Sequence, residues 1–132
     1  QLRLLKVALE RENYLVIACS SFDDAMEQLR TNDIAVAVID LTLHERSGIE
    51  LIREMSLMRT ALRTIIYTAH GSFESARDGL NLGAYAYVEK SSALSVLTDH
   101  IHRAAQSYLR ETLNKAEAEI RFQLRLLDAV QE

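Results

Sequence analysis

The sequence predicts an α/β fold in which helices cover both faces of a parallel sheet. Short apolar runs alternate along the chain with amphipathic segments at helical spacing. The clearest run, residues 34–39, is apolar without alternation and ends at Asp40. A strand of this kind suits a sheet that is buried on both faces, and its last residue lies at the edge where ligands collect in such sheets. Asp40 is therefore the first candidate for a functional residue.

The composition is that of one ordinary globular domain. The chain has 132 residues, of which 48% are hydrophobic and 26% charged, with a formal net charge of −4. It has no basic run, which argues against direct binding of nucleic acid, and no apolar run of membrane-spanning length. Because Cys19 is the single cysteine, it cannot form an internal disulfide, and we expect a buried thiol in a cytoplasmic protein.

Helices and strands are predicted to alternate up to residue 90. Asn13, the Gly71-Ser72 pair and Gly83 supply breaks or caps between these elements. We expect helices over residues 1–12, over 22–31, from Gly48 onwards and after Ser72, and strands over residues 14–19, 34–39, 64–68 and 85–88. Parallel strands in this order are joined by right-handed crossovers.

The last part of the chain is predicted to be one long helix. No proline or glycine occurs after residue 92. A first apolar stripe suits packing on the domain: Leu94, Leu97, Ile101, Ala104 and Tyr108. A second repeats at alternating spacings of four and three residues, as in a coiled coil: Leu109, Leu113, Ala116, Ile120, Gln123, Leu127 and Val130. The alternative is an amphipathic helix that folds back on its own domain.

Three polar side chains follow three successive predicted strands. These residues are Asp40, Thr68 and Lys90. Each alone has a structural explanation, as a turn cap, a local hydrogen-bonding group or a surface cation. Because the carboxyl ends of parallel strands share one edge, the three together predict a common cleft. His44, beside this cleft, is expected to be an exposed loop residue.

The motifs around these residues resemble the receiver domain of two-component response regulators. The resemblance covers residues 1–107, and its motifs are Asp40-Leu-Thr-Leu43 with Ser47-Gly48, Tyr67-Thr-Ala69, and Gly83-Ala-Tyr-Ala-Tyr-Val-Glu-Lys90. It implies a flavodoxin-like, doubly wound sheet of five parallel strands. It also implies a cytoplasmic signalling domain that is not itself an enzyme and that takes a phosphoryl group from a histidine kinase or phosphotransfer protein.

The resemblance assigns a role to each matching residue. Asp40 would be the phosphoacceptor, and Lys90 and Thr68 would contact the phosphoryl oxygens. Asp40 and the backbone carbonyl of Thr42 would be ligands of Mg²⁺. Tyr87 would be the aromatic side chain that switches with Thr68.

The sequence also departs from the family pattern. Lys90 is followed by Ser91, where the family usually has proline, and the first strand with its Mg²⁺-binding acidic pair is missing ahead of the first helix. We therefore expect an N-terminally truncated receiver domain at residues 1–107, taken from a larger sensor or hybrid protein. Residues 108–132 would be a helical extension that forms a coiled-coil homodimer and relays the phosphorylation state to a downstream domain.

The sequence leaves two alternative functions. A receiver-like interaction and dimerisation module without phosphotransfer would also account for the missing acidic pair. A nucleotide-dependent enzyme is disfavoured because no glycine-rich phosphate loop joins a strand to a helix.

Overall fold

The computed structural model describes residues 2–40, 45–58, 61–69 and 73–131. Within these ranges, helices and strands follow one another largely as the sequence predicts. The elements are α1 (Leu2–Arg11), α2 (Phe22–Thr31), β1 (Val36–Asp40), α3 (Glu45–Met58), β2 (Arg63–Thr68), α4 (Phe73–Asn81), β3 (Ala86–Glu89) and α5 (Leu94–Gln131).

The three described strands form a parallel sheet in the order β1-β2-β3. Strand β2 is central, and its residues Ile65 and Ile66 are fully buried. Alternation along the strand sends these two side chains into different clusters. The cluster on one face of the sheet, here called the α1/α5 face, is Leu5, Leu9, Ile65, Tyr67, Ala86, Val88, Leu97, Ile101 and Ala104. The cluster on the other, the α2/α3 face, is Met26, Leu29, Ile39, Ile52, Met55, Leu62, Ile66 and Ala84.

Two hydrophobic layers around a parallel sheet confirm the predicted doubly wound architecture. The helices bury the faces that their apolar spacing predicted, Leu5 and Leu9 in α1 and Met26 and Leu29 in α2. Helix α2 begins after Ser21, whose hydroxyl accepts a hydrogen bond from the Asp24 amide.

The prediction of a strand over residues 14–19 is wrong. This segment is extended but pairs with none of the three described strands. Tyr14 and Val16 pack against the α1/α5 face, whereas Leu15 on the other side is 94% exposed. An apolar run becomes a strand only where a neighbouring strand supplies hydrogen-bond partners, and none of the three described strands does so for this segment. For the same reason Cys19, predicted to be buried, is exposed.

A polar contact ties this extended segment to α5. The Tyr14 hydroxyl hydrogen-bonds to Nδ1 of His102 at 2.6 Å, and Nε2 of His102 pairs with the Glu12 carboxylate. Partial burial, with a smaller effect of the Glu12 charge, raises the pKa of Tyr14 above its ordinary value. The phenol therefore stays protonated at neutral pH and can donate to the imidazole.

Two helix boundaries bear on the predictions. Helix α3 begins at Glu45, three residues before the predicted Gly48, while the Gly71-Ser72 cap lies outside the described residues. Helix α4 ends at Asn81, and Gly83, which was predicted to close it, follows two residues later with a φ of 107°, in the left-handed region that glycine adopts without strain.

The predicted long C-terminal helix is confirmed. Helix α5 has 38 residues, which corresponds to a length of about 57 Å. Its first half packs on the sheet through Leu97, Ile101 and Ala104, all of them buried. From residue 112 onwards, every side chain whose exposure the structure describes is exposed. The helix therefore has a half that belongs to the domain and a half that extends beyond it.

Candidate functional site

The candidate site lies at the carboxyl edge of the sheet. Asp40 is the last residue of β1, Thr68 is the last of β2, and Lys90 directly follows β3. The strand register aligns Asp40 with Tyr67 and Thr68 with Glu89. The structure therefore brings the three sequence-predicted residues to one edge, as parallel strands require.

An ion pair joins the first and the last of these strands. Nζ of Lys90 lies 2.6 Å from Oδ2 of Asp40, across β2. The Lys90 side chain is 18% exposed and that of Asp40 is 31% exposed. The carboxylate is thus held by a cation and still reachable from solvent, which a group that exchanges ligands requires.

The ring of Tyr67 completes the surroundings of the cation. Lys90 Nζ lies 5.5 Å from the centre of this ring, within the range of a cation–π interaction. Asp40, Tyr67 and Val88 are register partners, so their side chains share the α1/α5 face. Tyr67 was not predicted to take part in the site, because only the strand register shows that it lies between the acid and the lysine.

Thr68 and Tyr87 lie on the opposite face of the sheet. Thr68 alternates with Tyr67, is 4% exposed, and accepts a 2.7 Å hydrogen bond from the Lys90 amide through its backbone carbonyl. Tyr87 is half-buried and packs against the α2/α3 cluster. These two side chains project from adjacent strands on the same face, so a movement of one changes the space available to the other.

Other predicted site residues fall outside the described residues. Thr42 and His44 are in this group, so their predicted roles stay predictions. Among the residues that the structure does describe, no cluster of three or more His, Cys, Asp and Glu side chains is arranged to hold a metal ion. Asp40 is a carboxylate in the described part of the site, and Mg²⁺ is often held by one or two carboxylates with water and phosphate oxygens.

A membrane-spanning helix is not found in the described part of the chain. None of its helices combines the necessary length with sufficient apolar character.

Comparison with known proteins identifies the family. The model of the response regulator receiver domain matches residues 1–102. The alginate biosynthesis transcriptional regulatory protein AlgB of Pseudomonas aeruginosa is 30% identical over 117 residues, which are 89% of this chain and 26% of AlgB. The transcriptional regulatory protein FixJ of Rhizobium meliloti is 32% identical over 85 residues, which are 64% of this chain and 39% of FixJ. The chain thus spans a minor part of the length of these relatives.

Solved structures agree in fold. A CheY-like receiver domain protein from Methanospirillum hungatei superimposes with a TM-score of 0.76 at 25% identity, covering 83% of this chain and 88% of that one. A response regulator from Burkholderia pseudomallei, solved with a phosphorylated aspartic acid, calcium ion and citrate, gives a TM-score of 0.68 at 23% identity, covering 84% and 66%. The parallel sheet with its carboxyl-edge acid, the matched family model and these relatives together show that the chain belongs to the response regulator receiver domain family.

Proposed function

We propose that this domain accepts a phosphoryl group on Asp40 and passes the resulting state to α5. The observation that carries the proposal is the 2.6 Å contact between Asp40 and Lys90 at the carboxyl edge of the sheet. Receiver domains as a family are signalling domains that interact with histidine kinases or phosphotransfer proteins. For this chain, the donor would be the phosphohistidine of such a protein.

The chemistry requires a nucleophile and a fixed cation. A carboxylate oxygen of Asp40 attacks the phosphorus atom, the phosphorus–nitrogen bond to the donor imidazole breaks, and an acyl phosphate forms. The imidazole nitrogen leaves with the electron pair of that bond and takes up a proton from solvent. Lys90 changes its partner from the carboxylate to a phosphoryl oxygen, so its charge stays compensated before and after transfer.

A bound Mg²⁺ would supply further positive charge to the phosphoryl oxygens. Asp40 and the backbone carbonyl of Thr42 would hold it, with water and phosphate oxygens as further ligands. The hydroxyl of Thr68 would contact the new phosphoryl group, and Tyr87, on the same face of the sheet, would follow it. This local event would bias the packing of β3 and α5.

The exposed half of α5 would carry the signal onward. Leu109, Leu113 and Ile120 are 57%, 67% and 57% exposed and lie at coiled-coil spacing. We propose that they form the seam of a homodimer, because such a row of exposed apolar residues on a helix is stabilised by an identical row. Leu113→Glu with Ile120→Glu should shift the protein towards monomer in sedimentation, while Ala118→Glu, away from the seam, should not.

We propose two kinds of output for a protein that contains this domain. AlgB and FixJ are transcriptional regulatory proteins, so a transcriptional output is one possibility, and a sensor or hybrid kinase is the other. The exposed free thiol of Cys19 is compatible with a reducing compartment and supports a cytoplasmic location.

The test is the intact mass of the protein after incubation with Mg²⁺ and acetyl phosphate. We expect a mass increase of one phosphoryl group, and its absence in Asp40→Asn. Asp33→Asn, which alters an acid ahead of the same strand at the opposite edge of the sheet, is the matched control and should be labelled. Equal labelling of Asp40→Asn would remove Asp40 from the role of acceptor.

A second candidate function is a receiver-like interaction module that does not transfer phosphate. It would use the same fold, with the exposed apolar residues Leu109, Leu113 and Ile120 of α5 for dimerisation. The mass experiment separates the two functions, because this module would show no phosphoryl adduct in either the unmodified protein or Asp40→Asn. It would still dimerise through α5.

A further inference from the structure

A second partly buried cation lies at the other end of the central strand. Arg63 begins β2 at the amino edge of the sheet, and its side chain is 17% exposed. Its guanidinium donates to three acceptors: the carboxylate of Glu111 at 2.6 Å, the hydroxyl of Ser107 at 3.2 Å and the carbonyl of Ala61 at 2.5 Å. A planar fork with several acceptors is a stiff connection, because each hydrogen bond restrains the direction of the others.

These contacts lie where α5 leaves the domain. The stripe of α5 that packs on the sheet is apolar at Leu97, Ile101 and Ala104. One and two turns later the same side of the helix presents Ser107 and Glu111, so polar contacts with Arg63 continue where apolar packing ends. Beyond Glu111, the helix side chains whose exposure the structure describes are exposed, and among the described contacts Arg63 is the last residue of the globular part that holds the helix.

Packing alone does not fix the helix at this point. An open concavity of about 480 Å³ lies beside it, lined by residues that include Arg63, Ser107, Glu111 and Lys115. A helix with open space on one side can rotate or bend into that space unless directional bonds prevent it. The Arg63 contacts are directional bonds of this kind.

The rotation of α5 decides where its apolar seam faces. At 100° per residue, the seam of Leu109, Leu113, Ala116 and Ile120 lies about 120° around the helix from the stripe that packs on the sheet. The seam and the stripe that packs on the sheet therefore lie on the same helix but face different directions. Any rotation at Glu111 turns the seam by the same angle.

We infer that Arg63 is a positioning residue that sets the rotation and exit direction of the α5 extension relative to the sheet. It acts through Ser107 and Glu111 and takes no part in phosphoryl chemistry. The inference rests on the proposed function in one respect, since the seam gains its importance from the proposed relay through α5. Arg63 and Thr68 are the two end residues of one buried strand, which makes β2 the mechanical connection between the candidate site and the extension.

The charges around Glu111 support this role. Arg63, through its hydrogen bond and its charge, and to a lesser degree Lys115, hold the pKa of Glu111 below its ordinary value. The carboxylate therefore stays ionised at neutral pH and remains an acceptor for the guanidinium.

The test is the distance distribution between two spin labels measured by double electron–electron resonance. The labels are placed at Arg53→Cys on α3 and Glu119→Cys on the extension, both exposed, in a Cys19→Ser background. Dilution with unlabelled protein keeps the measurement within one chain. We expect a narrow distribution of label–label distances in the protein that retains Arg63. In Arg63→Ala, the width of the distribution should increase about twofold, or its maximum should be displaced.

Further variants keep the outcome interpretable. Ser107→Ala with Glu111→Ala removes both side-chain acceptors of Arg63 and should broaden the distribution as Arg63→Ala does, even if that variant folds poorly. Arg121→Ala removes an exposed ion pair with Glu117 on the same helix and should leave the distribution unchanged. Unchanged distributions in both Arg63→Ala and the double variant would overturn the inference.

The phosphorylation assay separates this inference from the proposed function. Arg63→Ala should still be labelled at Asp40, because Arg63 lies at the opposite edge of the sheet. A loss of labelling with an unchanged distance distribution would show that Arg63 serves the site and not the helix. Absence of labelling in the unmodified protein would contradict the proposed function and leave the distance result standing.

Discussion

An ion pair lies at each end of β2, and the two pairs have the same length but different cations. At the carboxyl end, Lys90 meets Asp40 at 2.6 Å, and at the amino end Arg63 meets Glu111 at the same distance. Lys90 is a point charge that contacts the Asp40 carboxylate and the Tyr67 ring, whereas Arg63 is a fork that binds three acceptors. A point charge exchanges partners easily, and a fork does not.

The difference indicates a division of labour along one strand. The end that must accept a new group uses a replaceable contact, and the end that must hold a helix uses a fixed one. The strand between them is buried and closely packed, so a displacement of one end is transmitted to the other end.

The largest effect is expected from removing the cation at the carboxyl end. Lys90→Ala should lower the rate of Asp40 phosphorylation by about 100-fold or more, because no fixed cation then compensates the phosphoryl charge. Thermal unfolding should change little, since a partly exposed ion pair contributes little to stability. Lys115→Ala, an exposed lysine on the extension, is the control. Labelling of Lys90→Ala at the unmodified rate would show that the two ends do not differ in the way described.

The next effect is expected in the middle of the strand. Gly79 in α4 packs so closely on β2 that a Cβ atom there would lie 2.1 Å from Cδ1 of Ile66, which is fully buried. Gly79→Ala should therefore destabilise the fold by about 1–2 kcal/mol, since overpacking costs more than the helix propensity that alanine adds.

A double-mutant cycle identifies the cause. Ile66→Val removes Cδ1 and alone costs about 1 kcal/mol. In combination with Gly79→Ala it should cost less than the sum of the two single changes, as measured by urea unfolding. Additive costs would mean that the clash with Ile66 is not the reason, whereas Arg77→Ala on the exposed side of α4 should be nearly neutral.

The sequence predicted the carboxyl end better than the amino end. Asp40, Thr68 and Lys90 each follow an apolar run, and parallel strands bring such positions to one edge whatever the details of packing. Arg63 and Glu111 are 48 residues apart, in a strand and in a helix, and no local pattern connects them. Their contact depends on how α5 lies across the sheet, which only the assembled fold determines.

The same dependence on the assembled fold explains why the strand predicted over residues 14–19 does not form. Residues 14–19 are as apolar as residues 64–68, yet the first run is unpaired and the second is the buried centre of the sheet. Local composition shows that a segment can form a strand, and the presence of neighbours decides whether it does. Tyr67 beside Lys90 was missed for a related reason, since it becomes visible only through the register of β1, β2 and β3.

The smallest effect is expected from acid at the amino end. Because Arg63 holds the pKa of Glu111 below its ordinary value, the folded state gives up the proton more readily than the unfolded state. The resulting stabilisation is present above the pKa of the unfolded chain, about 4.3, and is lost as the pH falls through the lower folded value. The difference in melting temperature between the unmodified protein and Glu111→Gln should therefore be present at about pH 7 and shrink progressively as the pH falls below about 4. Since other carboxylates also take up protons in this range, the difference between the two proteins is the quantity to compare, with Glu117→Gln as a matched exposed control. A difference that persists in acid would mean that Arg63 holds α5 through Ser107 and the Ala61 carbonyl, and the fixed end of β2 would then owe its stiffness to neutral acceptors.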